Sequence, residues 1–211
     1  DSGDRFFGQS ADIYGSRAMI SAQNENESGA VYFYERNARG EWRLTDRLAG
    51  NEDDEDEANG SFGWSVVQRW QHAFIGCPNC SAGGPGDPTP VGSVYTVVRM
   101  PGGNWTLSAN LMAPEPDRGD QFGWTVATGD DGSGFVMVGA PGDDDSGENS
   151  GAVYVYAQDR EGNWNMEQKL MLPEPAPQTH FGRSIAIDGD IAIIGAPNDD
   201  QAGVASGSLF I

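Results

Sequence analysis

The apolar residues of this chain occur in short runs that predict β-strands rather than helices. Segments 62–67, 73–77, 92–98 and 105–111 are rich in β-branched or aromatic residues and are bounded by Gly, Pro, Asn or Asp. Turn signals lie between such runs, as at Asp188-Gly189-Asp190. No stretch keeps the apolar spacing of a helix for three turns. The pattern therefore predicts an all-β fold.

One motif recurs four times along the chain. It opens with Phe-Gly, runs through a short apolar segment to a Gly-Ala-Pro-like triplet, and continues into a small-residue turn and another strand. The Phe-Gly pairs are separated by 55, 60 and 59 residues and begin at Phe7, Phe62, Phe122 and Phe181. The triplets begin at Ser21, Gly76, Gly139 and Gly195. A fixed period of this size indicates one supersecondary unit per repeat, stacked on its neighbours.

Each repeat reads as four short strands, and four-stranded antiparallel units stacked around an axis form a β-propeller. We predict blade units at residues 4–60, 61–119 and 120–178, and an incomplete unit at 179–211. The Phe of each pair would supply apolar area between blades. The glycines beside it would let two backbones approach closely.

The motif resembles the FG-GAP repeat, which occurs in the propeller of integrin α-subunits and in many secreted or surface proteins. The resemblance covers all 211 residues and is clearest in the third and fourth repeats. Repeat one has Ser21-Ala22-Gln23 as its triplet, and repeat two has Cys77 in place of Ala. The resemblance implies a ring of about seven blades, which needs roughly 400 residues. We therefore expect this chain to be part of a larger propeller; the alternatives are a ring that a partner completes and a small four-bladed ring.

The net charge of the chain limits which classes of partner it can bind. There are 32 acidic and 12 basic residues, which gives a net charge of -20. Such acidity disfavours binding to nucleic acid or to an anionic membrane surface, because both need cationic side chains. No 18-residue apolar run is present, so we expect no membrane insertion by this segment. The resemblance and the composition favour an extracellular or cell-surface location.

The two cysteines, Cys77 and Cys80, lie in a Cys-Pro-Asn-Cys segment. A redox dithiol requires a helix N-terminus, and zinc requires two further ligands, for which only His72 and His180 are present. We therefore expect a structural disulfide. Four Asn-X-Ser/Thr sequons also fall in predicted loops, so we expect N-glycosylation at one or more of them. They are Asn26, Asn59, Asn79 and Asn104.

Acidic clusters follow the last two triplets. The segment 142–149 combines Asp143, Asp144, Asp145 and Glu148 with turn residues, and Asp199-Asp200 repeats a shorter version. Oxygen ligands in this arrangement suit Ca²⁺, with Asp143, Asp145 and Glu148 as the candidate ligands.

Two observations limit the interpretation of this segment as a calcium site. The calcium loop of integrin-like repeats lies between the first two strands of a blade, and the corresponding turns here lack its Asp pattern; only Asp130-Asp131 comes near. The alternative is that the repeated Asp residues satisfy backbone amides in turns. The acidic run 52–57 is typical of a solvated loop.

Three function hypotheses follow from these features. The first is a non-enzymatic module that binds a protein partner through rim loops, with contacts from Asp143, Asp144, Asp145, Asp199, Asp200, Trp64 and Trp124. The second is a lectin that binds carbohydrate between blades. The third is a carboxylate-based hydrolase or lyase. The chain has no Gly-X-Ser-X-Gly, His-Glu-X-X-His or P-loop signature. The loops after the triplets differ in length and charge, which favours the protein-binding hypothesis, with no cofactor required and Ca²⁺ as an optional ligand.

Overall fold

The computed structural model describes residues 6–50, 61–81, 89–129, 134–201, 203 and 206–211. Within these residues the chain forms fifteen β-strands and one short 3-10 turn, so the predicted all-β class is confirmed. The strands form four antiparallel sheets, and within each sheet the strands lie side by side in chain order. The acidic run 52–57, Asn59 and Asp130-Asp131 lie outside the described residues.

The sheets follow the four repeats. Sheet I contains β1 (Phe7–Tyr14), β2 (Arg17–Ala22), β3 (Ala30–Arg36) and β4 (Trp42–Ala49), with the 3-10 turn η1 (Glu25–Glu27) after β2. Sheet II contains β5 (Ser65–Arg69), β6 (His72–Cys77), β7 (Ser93–Arg99) and β8 (Trp105–Leu111). Sheet III contains β9 (Thr125–Ala127), β10 (Phe135–Ala140), β11 (Ala152–Gln158) and β12 (Trp164–Leu170). Sheet IV contains β13 (Ser184–Asp188), β14 (Ile191–Ala196) and β15 (Ser208–Phe210).

The sheets stack as blades of a β-propeller. The first strands are neighbours in the order β1, β5, β9 and β13, so they are the innermost strands of the stack. Three sheets share a register shift at one equivalent place between their third and fourth strands, at 33–34, 96–97 and 155–156. The repeat in the sequence is therefore also a repeat in backbone geometry. The exact unit boundaries and the number of blades in a complete ring stay predictions.

The Phe-Gly pairs join each sheet to the one before it. Phe62, Phe122 and Phe181 are buried between sheets, whereas Phe7, which opens sheet I, is 55% exposed. A Cβ on Gly139 would collide with the carbonyl oxygen of Gly182 in the next sheet. Only glycine permits this backbone approach, which explains why the motif needs glycine at both places.

Three apolar clusters fill the spaces within and between the sheets. One contains Met19 and Phe33 of sheet I together with Ile75 and Trp105 of sheet II. The ring centroids of Phe33 and Trp105 lie 4.8 Å apart, so the outer strand of one blade covers the middle of its neighbour. In the part of the chain that the structure describes, no helix has the length and apolar character needed to cross a bilayer.

Candidate functional site

The strand order places comparable loops of all four sheets at the same end. Because neighbouring strands are antiparallel, the loop after the second strand lies at the end of the sheet where the first strand begins. The fourth strand also ends there, so the chain leaves a four-stranded sheet at this same end. We call this end the upper rim, formed by residues 23–29, 61–64, 78–81, 112–124, 141–151, 171–183 and 197–201. The opposite end is the lower rim, formed by residues 15–16, 37–41, 70–71, 100–104, 159–163 and 189–190.

Asp143 is the centre of a buried polar group on the upper rim. It is only 2% exposed. Its Oδ2 atom accepts hydrogen bonds from the Tyr154 hydroxyl at 2.7 Å and from Lys169 Nζ at 2.8 Å. Its Oδ1 atom accepts the backbone N–H of Asp145 at 3.2 Å. A carboxylate held in this way anchors its loop and is not available for direct contact with a partner.

Lys169, the single lysine of the chain, binds two of the acids that the sequence assigned to the rim. Its Nζ atom lies 2.5 Å from Asp145 Oδ2 as well, and 5.0 Å from the centre of the Tyr154 ring. Burial alone lowers the pKa of this ammonium, but its hydrogen bonds to Asp143, Asp145 and Tyr154 outweigh burial and raise the pKa above the usual range. Lys169 is therefore charged at neutral pH and neutralises the carboxylates beside it.

Sheet I repeats this arrangement with different residues. The Tyr32 hydroxyl donates to Glu25 Oε2 at 2.6 Å, and Arg47 Nη2 donates to Glu25 Oε1 at 2.7 Å. The hydrogen bond to Glu25 is the main reason why the pKa of Tyr32 is raised. Tyr32 pairs with Arg47 across the third and fourth strands, just as Tyr154 pairs with Lys169. We call each group of acid, tyrosine and cation a rim triad.

Sheet II replaces the triad with a disulfide. Cys80 follows its triplet at the place where Glu25 and Asp143 follow theirs. It is bonded to Cys77, with the two Cα atoms 5.4 Å apart, which confirms the predicted pairing. The Tyr95 hydroxyl lies 3.9 Å from Cys80 Sγ, and the neutral Asn110 pairs with Tyr95 where sheets I and III have a cation. A covalent link thus takes the place of the ion pair.

Asp199 and Asp200 lie in the corresponding loop of sheet IV. Asp199 is 1% exposed, and its Oδ1 atom accepts the backbone N–H of Gln201 at 3.2 Å. Asp200 is exposed. The two acids that the sequence grouped together therefore have different environments, and only Asp200 presents its side chain at the surface.

The remaining acids of segment 142–149 face solvent. Asp144 and Glu148 are exposed, and Asp144 Oδ1 accepts the backbone N–H of Asn149 at 2.5 Å. Among the described residues, no group of three or more His, Cys, Asp or Glu side chains is placed to hold a metal ion. Calcium at Asp143, Asp145 and Glu148 stays a prediction, and binding there would have to displace the Lys169 ammonium.

Trp64 and Trp124 meet on the upper rim, near the innermost strands. Their ring centroids lie 4.5 Å apart, and both side chains are half-buried. The guanidinium carbon of Arg183 lies 4.9 Å from the centre of the Trp124 ring. The residues that follow Phe-Gly in three successive repeats therefore form one row, with an indole pair at one end and a cation at the other.

Asp120 is a buried acid just behind the sheet III triad. Its Oδ2 atom accepts the backbone N–H of Asp117 at 2.8 Å. Burial is the largest cause of a raised pKa, which reaches about 6, and the negative charges of Asp143 and Asp117 act in the same direction. No sequence pattern pointed to this residue, because its burial depends on how the connection between sheets II and III is packed.

Three of the predicted glycosylation sites are placed where a glycan would be accommodated. Asn26, Asn79 and Asn104 are all exposed, in the loop after β2, in the disulfide loop and in the turn before β8. Glycosylation of these residues stays a prediction, as does that of Asn59.

A cleft of about 390 Å³ opens on the lower rim between sheets II and III. Its walls are largely aromatic and include Trp70, His72, Phe74 and Trp164. The Trp164 ring lies edge-on to Phe74 and His72, with centroids at 5.1 Å and 5.8 Å. Burial lowers the pKa of His72, whose ring is therefore neutral near pH 7. The cleft was not predicted from the sequence, because its two tryptophans come from different repeats.

The rim triads were not predicted either, although the sequence carries a signal for them. Arg47, Asn110 and Lys169 follow Tyr32, Tyr95 and Tyr154 at one constant spacing. Aligning the repeats on this tyrosine would have shown a cation in two repeats of three. The acid lies at a constant spacing after the start of its triplet, but the loop between it and the tyrosine differs in length, so one ungapped alignment does not match both positions.

Comparison with known protein families gives a match for part of the chain. The family model described as FG-GAP repeat matches residues 105–156 and 164–211. Each matched segment begins at the outer strand of one sheet, β8 or β12, and ends in the third strand of the next sheet or just after it. A comparison with curated proteins gives no match.

Proposed function

We propose that this protein, whose residues 105–156 and 164–211 are FG-GAP repeats, is a non-enzymatic extracellular module that binds a protein partner through its upper rim. FG-GAP propellers suggest adhesion or protein interaction in general terms. The observation that carries the proposal is the arrangement of the rim loops: a buried group fixes each loop, and exposed acids lie beside it.

The loops of sheets III and IV show this arrangement of buried and exposed acids. Asp143 and Asp199 are buried, and each accepts the N–H of the residue two positions later. The residues that directly follow them, Asp144 and Asp200, are exposed. Variable side chains on a rigid frame are the usual setting for recognition. The rim thus presents fixed negative charge at two neighbouring places, which suits a partner with a basic surface.

Two further features support an extracellular setting. The Cys77–Cys80 disulfide is the form that cysteines take in oxidising compartments. Asn26, Asn79 and Asn104 are exposed sequons, as glycosylation in the secretory pathway requires.

The test uses a library of displayed extracellular protein domains, screened with the wild-type chain. We expect basic domains among the binders. Neutralising the exposed rim acids in the triple variant Asp144→Asn, Glu148→Gln, Asp200→Asn should weaken their binding by about tenfold or more, because rim charge sets long-range attraction. Added salt should weaken wild-type binding, and a chelator should leave it intact.

A matched control removes three charges from the lower rim, by the changes Glu41→Gln, Asp159→Asn and Glu161→Gln. These acids are also exposed, so the control separates position from net charge. Equal loss of binding in both triple variants would contradict a specific upper-rim surface. Binding that is unaffected by either set would move the search to Trp64 and Trp124.

The lower-rim cleft favours a second candidate function, carbohydrate binding. Trp70 is exposed at its mouth and Trp164 forms a wall, and aromatic faces are common platforms for sugar rings. Arg69 and Gln158 also line the cleft, so it offers polar groups near its apolar walls.

A glycan array tests this second function. If the cleft binds sugar, wild-type signals should fall by about tenfold in Trp70→Ala. They should persist in Trp42→Ala, which removes an exposed tryptophan from the lower rim of sheet I. An array without signal, or equal loss in both variants, would rule out sugar binding at this cleft.

A further inference from the structure

The junction of sheets I and II on the lower rim is the counterpart of the aromatic cleft between sheets II and III. Arg17 and His72 are equivalent, because each begins the second strand of its sheet after a two-residue turn. Trp105 and Trp164 are equivalent, because each begins a fourth strand. The guanidinium carbon of Arg17 lies 5.7 Å from the centre of the Trp105 ring, where the cleft has the His72 and Trp164 rings 5.8 Å apart. A cation therefore stands at the place of a neutral ring.

Two more arginines lie beside Arg17. Arg99 is equivalent to Gln158 of the cleft, since each pairs with the tryptophan that begins the next strand. It crosses from sheet II to sheet I, where its Nη2 atom donates to Glu35. Arg17 and Arg43 are the cross-strand partners of Glu35 on its two sides. One carboxylate thus lies among three guanidinium groups, and we call Arg17, Arg43 and Arg99 the arginine cluster.

The nearby carboxylates do not neutralise the arginine cluster. Glu41 lies 3.4 Å from Arg43 in an exposed pair, and Glu35 is bound to Arg99. Among the described residues, no carboxylate lies within ion-pair distance of Arg17. Burial lowers the pKa of Arg17, and the charge of Arg99 lowers it more than that of Glu35 raises it. Two acids for three cations leave a positive surplus, in a chain whose net charge is -20.

Aromatic rings connect the arginine cluster to the cleft. The half-buried Tyr14 ring has its centre 5.5 Å from the guanidinium carbon of Arg17 and 6.0 Å from the centre of the Trp70 ring. The guanidinium carbon of Arg69, which also lines the cleft, lies 5.7 Å from the same tyrosine ring. Trp70 is 54% exposed. The lower rim therefore places an exposed indole next to unneutralised guanidinium groups.

We propose that the lower rim of sheets I and II binds an acidic carbohydrate, with a sugar ring on Trp70 and a carboxylate or sulfate substituent bound by Arg17 and Arg43. A guanidinium group binds such anions through paired N–H donors, and an aromatic face suits the apolar face of a sugar ring. An acidic peptide would use the cations but not the adjoining aromatic surface. This inference rests on the second candidate function, carbohydrate binding, and deepens it by naming the class of sugar.

The test uses a glycan array on which each neutral oligosaccharide is printed beside its uronic acid and sulfated forms. The wild-type concentration that gives half-maximal signal measures the affinity for each glycan. For at least one set, we expect an acidic form to bind about tenfold or more tightly than the neutral form, because only the acidic form provides a counter-ion for Arg17. Added salt should reduce this preference. The comparison of uronic acid and sulfated forms identifies the anionic group.

The protein variants locate the anion. Arg17→Gln should lower the affinity for the acidic form by about tenfold and leave that for the neutral form within about twofold. Arg43→Gln should lower the acidic affinity by about threefold, and the Arg43 side chain is 71% exposed, so the fold does not depend on it. Arg160→Gln is the matched control. It removes one positive charge from an exposed position on the lower rim of sheet III, and both affinities should stay within about twofold.

The outcomes separate this inference from carbohydrate binding itself. Equal binding of acidic and neutral forms would overturn the inference and leave the second candidate function intact. An array without signal would contradict both. A preference for acidic forms that persists in Arg17→Gln and in Arg43→Gln would overturn the assignment of the anion to the arginine cluster. A hexa-aspartate peptide that binds as tightly as the best acidic glycan, and is lost in Arg17→Gln, would show that the occupant is an acidic protein segment instead.

Discussion

Replacing Asp143 by alanine should lower the free energy of unfolding by about 3 kcal/mol. The change removes the acceptor for both the Tyr154 hydroxyl and Lys169 Nζ, and it also removes the acceptor for the Asp145 N–H. The Lys169 side chain is only 19% exposed, so its ammonium would remain poorly solvated with one carboxylate instead of two. Leaving one member of a buried pair without its partner is more unfavourable than never having formed the pair.

Urea unfolding at neutral pH measures this effect. Asp145→Asn serves as the control, because the Asp145 side chain is half-exposed and its ion pair with Lys169 should contribute less than about 1 kcal/mol. Lys169→Met tests the same pair from the other side. The double variant should lose less stability than the sum of the two single variants, since the contacts are shared. Additive losses would show that Asp143 and Lys169 stabilise the fold independently, contrary to the geometry.

The repeat made most of the fold predictable from the sequence. Strand class, sheet order and the position of the Phe-Gly contacts all follow from local patterns that occur four times. The glycines of the motif are an example. Glycine at Gly139 predicted a close approach between two backbones, and the structure has that approach. The disulfide was predictable too, since the short separation of Cys77 and Cys80 left few alternatives.

The candidate site was less predictable, because burial decides its chemistry. From the sequence, Asp143 and Asp144 are equivalent acids in a polar loop. In the fold one is buried against Tyr154 and Lys169, while the other is exposed. The partners of Asp143 come from two different strands, so no local pattern around the acid reveals them. The lower-rim cleft has the same origin, since Trp70 and Trp164 meet only when sheets II and III stack.

Asp120 leads to the prediction with the clearest pH dependence. This acid is 4% exposed, and its pKa of about 6 in the fold lies well above the usual value of about 3.9. Between these two pH values the folded chain binds more protons at this residue than the unfolded chain does. The contribution of Asp120 to stability is therefore full below about pH 4, falls as the pH rises to about 6, and is constant above that.

Replacing Asp120 by asparagine should remove the pH-dependent part of its contribution to stability. The Asp120→Asn side chain still accepts the Asp117 N–H through its amide oxygen but never ionises. At about pH 7 the variant should be more stable than the wild type by roughly 2–3 kcal/mol, and at about pH 4 the two should be nearly equal. The next connection supports this expectation, because the equivalent place before Phe181 holds Thr179, which is buried and neutral and donates to two carbonyl oxygens.

The difference between variant and wild type, followed by urea unfolding from about pH 4 to about pH 7, isolates this residue from the other acids. Glu174→Gln is the matched control, since Glu174 is an exposed acid in the equivalent connection and should shift stability by less than about 0.5 kcal/mol at any pH. A difference that does not change with pH would contradict a raised pKa at Asp120. A variant less stable than the wild type at pH 7 would mean that the charged form is stabilised in the fold, most directly by Lys169, and the upper rim would then have one more ion pair than the contacts described above.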